Sequence, residues 1–331
     1  MLMRTRTRTL AAWTVTVLIR AVLAADPTIF LTEDFQSDPA SRGWRVSGDP
    51  ALFRWDAGAG QLSATWDSSR PNTYFHLPLQ TQLTRDDDFA FSFALELQDI
   101  NVGTTPGKPY TFELAVGFVN LAQATGPGFW RGTGLDSPNL VEWDYFPDSG
   151  FGATLSPTII SAQGQFATAF LSPYELPLGE KLHFIMEYLA AQRRLLLTVN
   201  VPDFAPIVVP VKLGPAFDDF AVDAFAISSY SDAGQNPDWS GSVLAHGTMD
   251  DVTLRLPAPP IRRFTGRVVE GVWQTQFTGW LGWRYTLESS RNLRDWSLVG
   301  SPLAGTGTSQ TLADPQPLLD HLFYRVRADK L

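Results

Sequence analysis

The chain has 331 residues, 44% hydrophobic and 18% charged, enough apolar material to bury one domain of ordinary size with a smaller one beside it, which excludes a disordered chain. Lys and Arg number 25 against 34 Asp and Glu, and the formal charge of −9 excludes the basic surface that a nucleic-acid partner requires. With 0 Cys and 4 His there is no disulfide, thiolate zinc site, cysteine nucleophile or lipid-modified cysteine, and few metal ligands, yet 11 Trp and 22 Phe call for an explanation.

Residues 1–25 begin with three Arg in a short polar stretch, run apolar from Leu10 to Ile19 and end in small residues before Asp26. This is a secretory signal pattern with cleavage after Ala24 or Ala25, and its apolar run is too short to span a membrane comfortably. An interfacial anchor is the alternative that Arg20 suggests. Removal of residues 1–24 takes four Arg and no acid, bringing the formal charge from −9 to −13. No later stretch has spanning length, so the expected destination is the periplasm, the cell surface or the medium.

Residues 26–256 read as strands. Phe89 to Leu97 alternates large apolar with small or polar residues, the period of a half-buried strand. Similar runs cover Tyr110 to Val119, Leu140 to Phe146, Ser156 to Ile160, Gln165 to Phe170, Ala221 to Tyr230 and Ser242 to Leu256. Lys181 to Leu189 and Leu195 to Val201 form a hairpin, in which His183 is expected to alternate along a core strand as a satisfied structural histidine rather than a ligand. Gly and Pro at the corners and the scarcity of helical periodicity predict an all-β double sheet of about 230 residues. The Pro-rich stretch 257–263 is the expected linker. Residues 264–331 then hold a small β module, whose Trp273, Trp280, Trp283 and Trp296 are expected to supply much of a limited core.

In Leu140-Val141-Glu142-Trp143-Asp144-Tyr145-Phe146, strand geometry puts Glu142 and Asp144 on one face, about 6.6 Å apart along the chain. Two carboxylates so placed could serve glycoside hydrolysis, ligate a hard cation such as Ca2+, or accept hydrogen bonds from sugar hydroxyls; a solvated outer face is the bland reading. Aromatic residues nearby could stack on a sugar ring. Trp130, followed by Arg131 in a Gly/Pro-rich loop, is the foremost candidate, and Tyr74 and His76 alternate outward from Phe75. The loop Ser231 to Trp239 offers a second Trp and several oxygens for a cation, without EF-hand spacing. No nucleophile elbow, phosphate loop, dinucleotide fingerprint or zinc-protease motif is present.

The Val141-Glu142-Trp143-Asp144 strand resembles one found in the concanavalin A-like lectin and glucanase superfamily, a jelly roll of two large antiparallel sheets. The resemblance covers residues from about 28 to 256. In legume-type lectins such a strand serves a metal pair, which places Glu142, Asp144, Phe146 through its carbonyl and Asp148 at the ligand positions. The further Asp that the lectins place five residues on is Ala153 here. In the related glycoside hydrolases the same strand carries nucleophile, helper and acid/base. Glu142 and Asp144 match the first two, but Phe146 or Pro147 falls at the third, so that Asp148 would have to fold back. Towards the C-terminus, Ser290-Arg291-Asn292-Leu293-Arg294-Asp295-Trp296 and Phe323-Tyr324-Arg325-Val326 resemble a small β-sandwich carried at the ends of exported bacterial proteins of uncharacterised function.

The expected function is a secreted, non-catalytic, lectin-like protein whose partner is a polysaccharide or other glycan, using Glu142, Asp144, Trp130, Arg131, Tyr74, His76 and Trp239. The alternative is a glycoside hydrolase or other polysaccharide-active enzyme using Glu142, Asp144 and Asp148. A surface or matrix protein with no sugar site is the third reading.

Overall fold

The structure, a computed structural model, describes residues 28–132, 136–315 and 322–330. The segment 1–25, expected from the sequence to be a signal peptide, lies outside the described residues. Among them no helix is long and apolar enough to cross a membrane.

The chain opens with β1 (Thr28–Glu33), β2 (Arg45–Ser47), β3 (Phe53–Asp56), β4 (Gln61–Asp67) and β5 (Thr73–Leu83). Next come β6 (Phe89–Val102), β7 (Leu114–Val119), β8 (Leu140–Phe146), β9 (Thr154–Ile160) and β10 (Phe166–Thr168). β11 (Lys181–Leu189), β12 (Arg194–Asn200), β13 (Ile207–Lys212), β14 (Val222–Ser229) and β15 (Val243–Pro257) complete the larger unit. One sheet has the order β13-β12-β11-β6-β15-β4-β3, with β1 running beside β15 beyond the end of β4. The other has the order β10-β9-β8-β7-β14-β5-β2. The chain crosses between sheets at β1 to β2, β2 to β3, β4 to β5, β5 to β6, β6 to β7, β10 to β11, β13 to β14 and β14 to β15, and its strand pairs are antiparallel. That crossing pattern makes the larger unit a jelly-roll β-sandwich.

The alternation of β6 explains the core. Phe89, Phe91, Phe93, Leu95 and Leu97 all turn inward and are buried. Across the gap they meet β7, β8 and β14: Phe93 lies 5.4 Å from Trp143, and Phe91 lies 5.3 Å from both Phe118 and Phe225, ring centre to ring centre. Such edge-to-face pairs add about 0.5–1.5 kcal/mol each beyond area burial, and a core of this size can hold the sandwich without disulfides. Most of the Phe surplus is therefore core material.

His183 lies on a core strand, where Leu182, Phe184, Met186 and Tyr188 are the inward residues of β11 and His183 falls on the exposed phase. The linker is shorter than the proline pattern implies. Pro257 still belongs to β15, and Ile261 already opens the next strand.

That strand begins a small module of β16 (Ile261–Val269), β17 (Val272–Gly279), β18 (Trp283–Ser290), β19 (Ser297–Ala304), β20 (Ser309–Asp314) and β21 (Phe323–Lys330). They form two three-stranded sheets, β16-β17-β20 and β19-β18-β21. The buried centre is Phe277, Tyr285, Leu287 and Leu312 rather than the four Trp. Trp273 and Trp283 pack at its edge, and Trp273 stacks on Tyr324 at 3.8 Å. Trp296 lies under the Arg325 guanidinium at 4.2 Å, and Trp280 donates its indole N–H to the Pro259 carbonyl at 2.9 Å. A core this small has little room for whole indoles, so the rings close its rim instead.

Candidate functional site

β8 places Glu142 and Asp144 as its alternation predicts, on the face of the seven-stranded sheet that points away from the sandwich core. Val141, Trp143 and Tyr145 take the inner face. Glu142 pairs with Gly117 on β7 and Thr158 on β9, and Asp144 pairs with Ala115 and Ser156. Gly117 has to lack a side chain, since a Cβ there would lie 2.2 Å from the Val141 carbonyl oxygen.

The outer face is nevertheless closed to solvent. Glu142 and Asp144 are 0% and 1% exposed, so the solvated reading fails, and so does the picture of carboxylates lining an open groove. What covers them is the segment leading into β8 together with Tyr230. Arg131 turns inward, Nε donating to Glu142 Oε2 at 3.0 Å and Nη2 to Asp144 Oδ2 at 2.9 Å. Its Nη1 binds Asp136 of the same loop, and Nη2 stands 3.4 Å from Glu113 Oε2, just before β7. Tyr230, directly after β14, donates its hydroxyl to Glu142 Oε1 and carries the Arg131 guanidinium over its ring at 5.7 Å.

One guanidinium faces four carboxylates here, and protonation settles the excess charge. Burial opposes the charge on Arg131, but Glu113, Asp144, Asp136 and Glu142 outweigh it and hold its pKa well above the ordinary value. Burial raises Glu113 well above the usual carboxylate range against the pull of Arg131, and neither of its oxygens has a hydrogen-bond partner. Burial likewise pushes Glu142 up to about 7 and raises Asp144. Burial, followed by the neighbouring Glu142, keeps Tyr230 a phenol. The cluster therefore holds protons that exposed carboxylates would have released.

Other expected site residues are placed differently. Tyr74 is buried on the same outer face, its ring 6.4 Å from Phe129 and 5.8 Å from Tyr230, with its hydroxyl donating to the Ala124 carbonyl at 2.9 Å. His76 is buried too, 2.9 Å from Ser47 Oγ, and burial followed by Arg45 lowers its pKa. It shares a cross-strand row with Ala226, Gly117 and Glu142, three strand spacings or about 14 Å from the carboxylate. Asp148 does not fold back: it is exposed, its carboxylate accepting from the Gly150 amide at 3.1 Å. Trp239 ends the short helical turn Pro237–Trp239, and its side chain lies outside the described residues.

A cation does not fit these donors. Among the described residues no group of three or more His, Asp or Glu is arranged to hold a metal ion. Asp144 is bound to Arg131, which itself brings the positive charge between Glu142 and Asp144. In the Ser231 to Trp239 loop, Asp232 is engaged by Lys108 at 2.7 Å, Thr105 at 2.9 Å and Ser68 at 3.2 Å.

Trp130 points the opposite way from its neighbours. Phe129 and Arg131 are buried while Trp130 is 42% exposed. It is held firmly. Its amide donates to Ser137 Oγ at 2.8 Å, its carbonyl accepts from the Ser137 amide at 2.9 Å, and its ring lies on Gly234, where a Cβ would come within 2.5 Å. Gln235 continues the contact by bonding Gly241, which bridges to Tyr110. Tyr110 in turn meets Gly150, beside Phe151. Tyr110 is 46% and Phe151 78% exposed, so one end of the sandwich carries a rim of three exposed rings. Two cavities lie elsewhere, one of about 530 Å³ bordered by Trp44 and Leu77, the other of about 450 Å³ beside Ser289 and Asn292 in the small module.

Sequence reasoning missed Glu113 and Asp136. Glu113 left a signal, an acid in phase with Ala115 and Gly117 at the head of an apolar strand; Asp136, in a loop, left none.

No protein family and no curated protein matches the chain. Solved structures similar to it include peanut lectin with a 9mer peptide, at 13% identity and a TM-score of 0.43, covering 68% of this chain and 98% of that one. The Lotus tetragonolobus seed lectin has 10% identity and a TM-score of 0.44, with 70% and 100% covered. The alginate lyase Aly36B has 8% identity and a TM-score of 0.42, with 68% and 96% covered. These likenesses are distant, and the fold assignment rests on the strand order given above.

Proposed function

We propose that the chain is an exported, non-catalytic carbohydrate-binding protein of lectin type, and that sugar stacks on the exposed aromatic rim led by Trp130. The observation that supports this is a large indole kept in solvent by a loop that is itself anchored through Arg131. Exposing an ordered aromatic ring forgoes burial that would stabilise the fold, and rims of this kind mark ligand surfaces. A ring fixed in advance also loses little entropy on binding. Glu142, Asp144 and Arg131 support the loop from beneath and do not touch the sugar.

The test is retention on a glycan array with Trp130→Ala beside the wild type. We expect retention to fall at least tenfold while the thermal midpoint stays nearly unchanged. If the wild type is retained on no glycan, the surface or matrix role without a sugar site replaces this reading.

One observation favours the enzyme reading: burial brings Glu142 to about 7, a value suited to a general acid. Against it, both Glu142 oxygens are engaged, by Tyr230 and Arg131, and the residue has no exposed surface. A glycoside hydrolase would have to expose Glu142, and an unchanged hydrolysis rate in Glu142→Gln would remove it from the chemistry.

A further inference from the structure

We infer that the glycan held by the Trp130 rim is non-acidic, a neutral or amine-bearing chain rather than a polyuronate or a sulfated polymer. The inference rests on the carbohydrate reading of that rim and narrows its ligand.

The charges around the three rings are sorted by sign. Asp148, Glu175 and Asp238 are exposed, and none of them forms a salt bridge among the described residues. Asp148 stands two residues before Gly150, the residue that meets the Tyr110 ring. Glu175 lies two residues past Pro173, which packs at Gly152 next to Phe151. Asp238 belongs to the loop whose Gly234 supports Trp130. The bases of the same loops are occupied. Arg131 is buried among its carboxylates, and Lys108 is bound to Asp232 at 2.7 Å. Arg70, which lies two residues before the Asn72 that holds the Phe129 carbonyl, has a side chain that is 58% exposed but is outnumbered by the two acids it faces, Asp67 at 3.5 Å and Asp49 at 3.9 Å.

A ligand lying on these rings thus meets unpaired carboxylates and, among the described residues of these loops, no base without an acidic partner. Carboxylate oxygens accept hydrogen bonds from sugar hydroxyls and attract ammonium groups, but they repel ligand carboxylates and sulfates. Each like-charge pair about 7 Å apart in water weakens binding roughly threefold at low ionic strength, and physiological salt screens much of that. The formal charge of −9 acts in the same direction at longer range.

The experiment presents the full chain, in 10 mM salt, with an array holding neutral glucans, chitosan oligomers, polyuronates and sulfated glycans. We expect retention on neutral or amine-bearing members and at least tenfold weaker retention on the acidic ones. The double variant Asp148→Asn with Asp238→Asn should raise polyuronate retention about tenfold at low salt, a gain that 0.5 M salt abolishes. Polyuronate bound as tightly as neutral glycan, or a double variant with no gain, overturns the inference and leaves the carbohydrate reading standing. Retention on no member at all overturns both.

Discussion

Arg131 and Glu142 are separated by 11 positions in the sequence, yet Nε and Oε2 meet at 3.0 Å in the interior, tying the loop that presents Trp130 to the middle of the seven-stranded sheet. Removing one partner of such a buried pair leaves the others uncompensated. Arg131→Ala should therefore cost about 3–5 kcal/mol. Arg131→Lys should recover part of the loss, since an ammonium restores charge but not the planar fork that reaches Glu142 and Asp144 together. Urea unfolding at pH 7 checks the order, and a loss below about 1 kcal/mol in Arg131→Ala would show that the cluster does not hold the fold.

Proton occupancy gives a second expectation. With Glu142 at about 7 in the folded state against about 4.3 in the unfolded chain, the folded form binds the extra proton between those values. Its stabilising contribution is complete below the lower value and declines as pH rises through 7. The wild type should lose of order 2 kcal/mol more than Glu142→Gln between pH 5 and 7.5. His76 works in the opposite sense, its lowered pKa disfavouring the fold in acid, and it cancels in the difference between the two proteins. Parallel stability curves would rule out Glu142 as the titrating group.

Gly117→Ala tests the strand contact beneath the cluster. The new methyl would sit 2.2 Å from the Val141 oxygen and 2.7 Å from the Glu142 Cα, both backbone atoms with little freedom to yield. A loss of at least 1–3 kcal/mol, about the cost of overpacking, is expected in thermal unfolding.

Gly234→Ala acts on the other side of the loop. Its φ of +75° disfavours a side chain, and the added Cβ would come 2.5 Å from Cζ3 of Trp130. The backbone cost is about 1–2 kcal/mol, and the indole is pushed from its seat. Glycan retention should fall further than stability does. Undiminished retention would separate the ring's position from binding.

Much of the sandwich was legible in the sequence because its strands have one apolar face. Leu140–Phe146 and Lys181–Leu189 have the limits that alternation alone assigns. In the latter, Lys181, His183 and Glu187 share the outward phase and Leu182, Phe184, Met186 and Tyr188 the inward one, an alternation written in the residues themselves. The site was half legible. Strand geometry put Glu142 and Asp144 together, but exposure is the default for acids, and the loop residue that overrides it is not ordered by any periodicity. Phe129, Trp130 and Arg131 alternate in, out and in because of what lies under them, a relation set by tertiary contact.

In the small module, Tyr285→Phe removes a hydroxyl that donates to the Pro260 carbonyl at 2.7 Å and accepts from the Trp280 amide at 2.6 Å. Cleavage between 257 and 261 in limited proteolysis should accelerate, while the melting of the larger sandwich stays unchanged.

The short connector has a mechanical consequence. Only Ala258, Pro259 and Pro260 separate β15 from β16, so tension on the small module passes directly into β15. That strand lies between β6 on one side and β4 with β1 on the other, all antiparallel to it. A pull along its axis loads both hydrogen-bonded ladders in shear, many bonds sharing the force at once instead of opening one after another. The larger sandwich is thus built to resist traction from its C-terminal side.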